Sequence, residues 1–194
     1  MPPAPPDLDL GPVQLGLLVH AGGRGEPAAR AWLGTRLGVP PHALALPRDA
    51  HGRPALGRPG MDCNWSHSGT HLVVALAAGA RVGVDVETRR ARPKALEIAR
   101  RYFHPVEAAA LARLDARERD AAFLRLWCAK EAVLKAQGRG LAYGLDRFRI
   151  EGFVGDGDLH IAQADADLGA DWMLHALDWD DATAVVAWRA LPAA

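Results

Sequence analysis

Two carboxylates, Asp85 and Glu87, stand two positions apart in Val82-Gly83-Val84-Asp85-Val86-Glu87. On a strand that spacing sends both side chains to one face, with valines 82, 84 and 86 on the other. Two like charges 4 Å apart repel by about 4 kcal/mol at an effective dielectric near 20. A hard cation such as Mg²⁺ relieves that repulsion, because carboxylate oxygens are its natural ligands. Taken alone, the pair reads equally as the solvated edge of a strand. Glu131 changes the balance. In a helix over residues 117–136 the i+4 row runs Phe123, Trp127, Glu131, Lys135, so a carboxylate and an ammonium emerge where an apolar stripe ends. The chain has twenty arginines and three lysines, and two of those three, Lys130 and Lys135, flank Glu131. Lysine is a compact point charge where arginine is a planar fork, so lysine at these positions answers a specific need. A third carboxylate beside Asp85 and Glu87 makes a Mg²⁺ site with open positions for phosphate oxygens, with Lys130 and Lys135 offsetting phosphate charge.

Residues Asn64-Trp65-Ser66-His67-Ser68 hold the only asparagine and the only two serines of the chain. Neighbours this close seldom adopt triad geometry, and no nucleophile elbow surrounds them. No second His or Cys stands at ligand spacing from His67. A turn whose hydroxyls, imidazole and backbone N–H groups bind phosphate fits better, beside a purely structural role for His67. Arg53, in Gly52-Arg53-Pro54, adds a guanidinium able to hold phosphate through two bonds. With no nucleophile of its own, this set points to phosphoryl transfer by positioning and electrostatics, the attacking group arriving on a second substrate.

The elements that must hold these residues follow from pattern. Strands are expected at residues 13–19, 43–46, 62–65, 70–78 and 81–87, with the Ser66-His67-Ser68-Gly69 segment as a turn between two of them. Helices are expected at 27–37, 93–101, 105–114 and 117–136, the last closed by Gly138 and Gly140. Strands return at 146–150, 159–162, 172–177 and 182–188. Residues 1–12, with four prolines in the first six, read as a disordered lead-in. A repeat of strand, helix and strands on either side of residue 80 divides the remainder into halves at 13–80 and 81–194.

At 194 residues, about half of them apolar and with a formal net charge of zero, the chain has an ordinary globular composition. A dedicated nucleic-acid binder would be basic overall, so nucleic acid is not expected as a partner. No stretch reaches the length of a membrane span, and no basic segment followed by an apolar one opens the chain, so a cytoplasmic protein without a membrane partner is expected. Cys63 and Cys128 form neither a disulfide framework nor a metal-ligand spacing, which agrees with a reducing compartment. Charge is uneven, and Arg89, Arg100 and Arg101 lie in a basic stretch that suits an acidic partner.

In order, Gly52-Arg53-Pro54, Asn64-Trp65-Ser66-His67-Ser68, Val82 to Glu87, Trp127-Cys128-Ala129-Lys130-Glu131-Ala132-Val133-Leu134-Lys135 and Gly138-Arg139-Gly140-Leu141 resemble the motifs of 4′-phosphopantetheinyl transferases, more closely the single-chain Sfp-type class. The likeness runs from about residue 51 to 150. It implies an α+β fold of two similar α/β halves related by a pseudo-twofold axis, one compact unit with the active site between them. It implies transfer of the 4′-phosphopantetheine arm of coenzyme A to a serine of an apo-acyl carrier protein or a peptidyl or aryl carrier domain, releasing adenosine 3′,5′-bisphosphate, by an enzyme of the holo-carrier-protein synthase type. By the same likeness Asp85, Glu87 and Glu131 hold Mg²⁺ against the pyrophosphate, Lys135 contacts that pyrophosphate, and His67 binds a coenzyme A phosphate. Lys130 and Asp85 join the coenzyme A contacts, and Arg53 and Ser66 lie near the 3′-phosphate. The base that deprotonates the serine is Glu131 or a water held by Glu87. Arg89, Arg100 and Arg101 are the expected carrier-docking residues, and a monomer is expected. Family members usually have a longer, arginine-studded region ahead of Gly-Arg-Pro, where this chain offers Arg24, Arg30 and Arg36. The alternative is a non-catalytic module that binds coenzyme A or a carrier protein.

Overall fold

The computed structural model describes residues 7–192. The first six residues of the expected lead-in lie outside that range, while Leu8–Asp9 already forms a short strand, β1. It pairs with β2 (Val13–Val19), and β2 with β4 (His71–Ala78), which in turn pairs with β3 (Met61–Ser68). All these pairings are antiparallel, giving the order β1-β2-β4-β3. Helix α1 (Glu26–Leu37) covers one face of this sheet: Ala29, Trp32 and Leu33 pack with Cys63, Leu72 and Val74. Proline opens the helix, and Gly38 closes it in the left-handed region at φ 65°. The strand expected at residues 43–46 does not form. Pro40 and Pro41 lead instead into a 3-10 turn over Pro41–Ala43, since proline offers no N–H to a ladder.

A second sheet has the order β5-β9-β8, from β5 (Ala80–Thr88), β9 (Ala182–Ala190) and β8 (Met173–Asp178). Between the two sheets lies a core of Val13, Leu15, Val73, Ala75, Val82, Val84, Val86, Ala184 and Val186. The three valines of β5 thus share one face, as their alternation requires. Helices α2 (Ala95–Tyr102), α3 (Pro105–Ala112) and α4 (Ala116–Gln137) follow, with a hairpin of β6 (Phe148–Glu151) and β7 (His160–Ala164). Helix α4 lies across the other face of the second sheet, burying Ala129, Ala132, Val133 and Ala136 with Val185 and Ala187.

The two sheets are fastened by side chains. Asp62, Asn64, Ser66 and Ser68 alternate along β3, so all four leave one face toward β5. Val82 N–H donates to Asp62 Oδ2 at 2.8 Å, Val84 N–H to Asn64 Oδ1 at 3.0 Å, and Thr88 N–H to Ser68 Oγ at 3.1 Å, each spanning 20 residues. Side-chain oxygens on β3 thereby satisfy amides on the edge of β5 that faces away from β9. The Ser66-His67-Ser68 segment is accordingly strand, not the expected turn. The reversal comes at Gly69, φ 57°, where a left-handed residue is required.

Lys130 is buried in the core behind α4. Its Nζ donates to the carbonyls of Leu145 and Phe148 at 2.7 and 2.6 Å and lies 2.9 Å from Glu107 Oε2. The ring of Phe148 faces the ammonium at 4.2 Å. Glu107 also accepts from His104 N–H, capping α3, and from Ile150 N–H on β6. Burial pulls Lys130 below and Glu107 above their ordinary values, each opposed by the other's charge. The pair therefore ties α3, α4 and β6 together, and the Lys130 ammonium, expected to offset phosphate charge, is fully buried and already bonded to two carbonyls and one carboxylate.

Two outcomes are expected in urea denaturation. Asn64→Ala, which strands the Val84 N–H, should cost about 1–3 kcal/mol. Lys130→Met, which leaves Glu107 buried and unpaired, should cost about 3–5 kcal/mol, and adding Glu107→Gln should recover part of that loss.

Candidate active site

Gly83, Asp85 and Glu87 occupy the face of β5 turned to α4. At Gly83 the strand and helix backbones touch: a Cβ there would collide with the Ala132 carbonyl oxygen and the Ala136 nitrogen. Only glycine permits that approach, and it sets Glu131 and Lys135, one helical turn apart, beside the acidic pair. Lys135 Nζ donates to Asp85 Oδ1 at 2.7 Å, to Ser66 Oγ at 3.0 Å and to the Val84 carbonyl at 3.2 Å. Ser66 Oγ also lies 3.0 Å from the same Asp85 oxygen. Asp85 Oδ2, by contrast, is buried with no partner.

Glu131 is half-buried on α4, beyond the stacked rings of Phe123 and Trp127, as the i+4 row led one to expect. Burial, then the charges of Asp85 and Glu87 against that of Lys135, push its carboxyl up to about 7. Glu87 is held at its second carboxyl oxygen by Arg92, 2.9 Å away, and by Ser68 Oγ at 3.3 Å. The three expected metal-holding residues are thus close enough to feel one another's charge. They do not close into a ligand cluster: among the described residues no three His, Cys, Asp or Glu side chains are grouped to hold a metal ion. Lys135 on Asp85 and Arg92 on Glu87 provide the countercharge instead. The donor set nonetheless fits a hard cation, since Asp85 presents an orphaned carboxylate oxygen, and the repulsion from Asp85 and Glu87 that adds to burial in raising Glu131 is what a divalent ion would cancel.

Several expected residues sit elsewhere. Arg53 is buried, and all five of its N–H donors are engaged. It grips Asp62 through two bonds at 2.8 and 2.5 Å and donates to the carbonyls of Pro54, Val82 and Lys135. It has no N–H left for a phosphate and serves as a clamp joining its loop to β3, β5 and the end of α4. Ser66 faces Asp85 and Lys135. His67, next along the strand, leaves the opposite face and packs against His20 with ring centroids 4.6 Å apart. Partial burial, then the neighbouring His20 and Lys135, lower its imidazole below the usual value. Arg89 is bound to Asp178 at 2.6 Å and to the Ala182 carbonyl, while Arg100 and Arg101 stand exposed on the last turn of α2. Of the arginines ahead of Arg53, Arg30 bonds to Glu26 and Arg36 to Asp7.

A cleft of about 220 Å³ opens beside Lys135, walled by Arg48, His51, Asn64, Trp65 and the glycines 138 and 140. It adjoins the Lys135 cluster without including the carboxylates. Three contributors were not singled out from sequence. Asp62 had a readable signal, being the first member of a polar alternation on a strand. Arg92 had none, because spacing cannot sort the cations of residues 89–94, and nothing marked His20.

A family model described as the 4′-phosphopantetheinyl transferase superfamily matches residues 81–187, more than half of the chain. The 4′-phosphopantetheinyl transferase HetI of Nostoc is 35% identical over 122 residues, 61% of this chain and 52% of that protein. The transferase psf-1 of Bacillus pumilus is 34% identical over 125 residues, 64% of this chain and 52% of its own length. The chain therefore spans about half the length of the curated relatives it matches. Among solved structures, a holo-ACP-synthase from Plasmodium yoelii is similar at 18% identity and a TM-score of 0.39, covering 55% of this chain and 91% of that one. On the match of the family model over β5 to β9, the chain belongs to the 4′-phosphopantetheinyl transferase superfamily.

Proposed function

We propose that the protein transfers the 4′-phosphopantetheine arm of coenzyme A to a serine of an apo-carrier protein, releasing adenosine 3′,5′-bisphosphate, in a Mg²⁺-dependent reaction. The observation that carries this reading is the convergence of Lys135, Ser66 and Asp85 within 3.0 Å, with Glu131 raised to about 7 beside them. A pyrophosphate needs fixed cations at its oxygens, and a hydroxyl nucleophile needs a base whose proton affinity matches neutral pH. Lys135 meets the first need. Its three N–H donors are held by Asp85, Ser66 and the Val84 carbonyl, so the ammonium is oriented before substrate arrives, and it acts on a phosphate as a fixed charge or by exchanging one of these acceptors for a phosphate oxygen. Glu131, pushed up to about 7 while no cation is bound, or a water held by Glu87 meets the second.

Asp85, Glu87 and Glu131 are the residues that would hold Mg²⁺. When bound, the ion supplies charge stabilisation to the phosphate oxygens and cancels the repulsion among the carboxylates. His67 and the cleft beside Lys135 are assigned to the phosphate and nucleotide parts of coenzyme A, with Arg53 acting through the loop it fixes. Residues 13–80 and 81–194 are read as two related halves, the first carrying β2, β3 and β4 and the second the β5-β9-β8 sheet with the β6–β7 hairpin, with the site on the seam between them. A cytoplasmic location fits two buried, unpaired cysteines. Among the described residues no helix is long and apolar enough to cross a membrane. A carrier domain, usually acidic, is assigned to the exposed Arg100 and Arg101 on α2.

Incubation with coenzyme A, Mg²⁺ and a panel of apo-acyl, peptidyl and aryl carriers should raise the mass of at least one carrier by one phosphopantetheine; no shift with any of them would reject the reading. Glu131→Gln and Asp85→Asn should each lower kcat by about 10²-fold or more while melting as cooperatively as the parent, measured by single-turnover transfer and circular dichroism. The double change Arg100→Glu with Arg101→Glu should raise the KM for the carrier more than that for coenzyme A. Equal rises would remove α2 from the docking surface.

A further inference from the structure

The exposed loop of residues 89–94, between β5 and α2, delivers a guanidinium to the acidic pair. Its place is fixed by the backbone, because Arg92 N–H donates to Asp120 Oδ2 on α4 at 3.1 Å. The side chain then reaches Glu87, with one terminal nitrogen 2.9 Å from the carboxylate, in a pair roughly a quarter exposed on each side. Two opposite groups in this region remain unsatisfied. Arg92 Nε is buried without an acceptor, and Asp85 Oδ2 is buried without a donor. Buried polar atoms of this kind are costly, and here one stands on a member of the acidic pair and the other on the cation bound to it.

The two cations on the acidic pair are not equivalent. Lys135 has three acceptors, two of them besides its carboxylate, and it rises from a rigid helix. The Arg92 side chain holds Glu87 alone and rises from a surface loop. A divalent ion approaching Asp85, Glu87 and Glu131 meets a positive charge already seated on Glu87, and Arg92 is the one free to yield. Its planar fork with an unoccupied Nε is shaped to take two oxygens of a phosphate once the carboxylate is gone. Resting on the reading of these carboxylates as a cation site, we propose that Arg92 is an exchangeable counter-cation, which occupies Glu87 until the metal takes that carboxylate and then turns its guanidinium to an oxygen of the substrate's pyrophosphate. No bond is made or broken in the exchange; one ion pair replaces another.

The test uses Mn²⁺ as the metal and inorganic pyrophosphate as the anion, with the whole chain and no carrier. Free Mn²⁺ is read by electron paramagnetic resonance, and pyrophosphate binding to the metal-loaded protein by calorimetry. The Arg92 side chain makes a single bond, so R92Q is expected to melt within a few degrees of the parent, and R92K, which keeps the ion pair, is the control for stability. R92Q should bind Mn²⁺ about threefold tighter or better, since a competing and repelling charge is gone, yet bind pyrophosphate about threefold weaker or worse. R92K, which keeps the charge, should stay within about twofold of the parent for Mn²⁺. Opposite signs for the two ligands are the signature, since loss of a merely structural contact would weaken both. Unchanged or weaker Mn²⁺ binding in R92Q, or unchanged pyrophosphate binding, would overturn the exchange while leaving the metal site standing. Absence of Mn²⁺ binding in parent and variant alike would overturn both this inference and the metal site beneath it.

Discussion

Strands β3 and β5 belong to different sheets, yet they are joined along their length by side-chain oxygens bonded to main-chain amides. Every part of the candidate site depends on that seam. It fixes Ser66 opposite Asp85 and Ser68 opposite Glu87, so the hydroxyls of one sheet meet the carboxylates of the other. An amide and two hydroxyls at alternate positions can do this because each offers an acceptor on a short stem, with no charge to desolvate. Aspartate stands at the one position where Arg53 neutralises it. The seam also accounts for the composition: the one asparagine and both serines of the chain stand on the same face of β3, toward β5.

Across β5, the second constraint is the bare contact at Gly83. Helix α4 carries both a structural and a chemical face, and adjacent residues serve them. Lys130 points into the core, held by Glu107 and two carbonyls, while Glu131 turns to the carboxylates of β5. Locking the rear of the helix limits its roll and slide, so the positions of Glu131 and Lys135 are inherited from packing rather than from the site itself. The electrostatics then follow from crowding. Three carboxylates with two cations leave one negative charge in excess, and Glu131, raised first by burial, is raised further by that excess.

Much of this was legible in the sequence. The alternation of valines with Gly83, Asp85 and Glu87 gave the two faces of β5 correctly, and the i+4 row of α4 placed Glu131 and Lys135 at the rim of an aromatic stripe. Roles were harder than positions. Arg53 and Lys130 carry the charges a phosphate site wants, but in each the surrounding carbonyls and one buried acid absorb the charge, and burial is not written in residue type. Ser66-His67-Ser68 looked like a turn because serine and glycine favour turns. Tertiary demand for acceptors opposite β5 outweighed that preference. The pairing of Arg92 with Glu87 depends on how a loop folds back, and sequence spacing carries no record of it.

The seam has a consequence for how the chain assembles. Its bonds close loops of only 20 residues, through the β3–β4 hairpin and the short link into β5. The pairing of β5 with β9 joins residues roughly a hundred positions apart, Val84 with Val186, and such distant contacts carry the larger loop-closure cost. The joint between the two sheets is therefore local in sequence although it is central in space. We expect it to form in the folding transition state, before β9 docks, with Asn64→Ala slowing folding and Thr183→Ala chiefly speeding unfolding in a chevron analysis. On that order of events, Ser66 and Asp85 meet early, and the polar heart of the molecule is among the first parts of it to take shape.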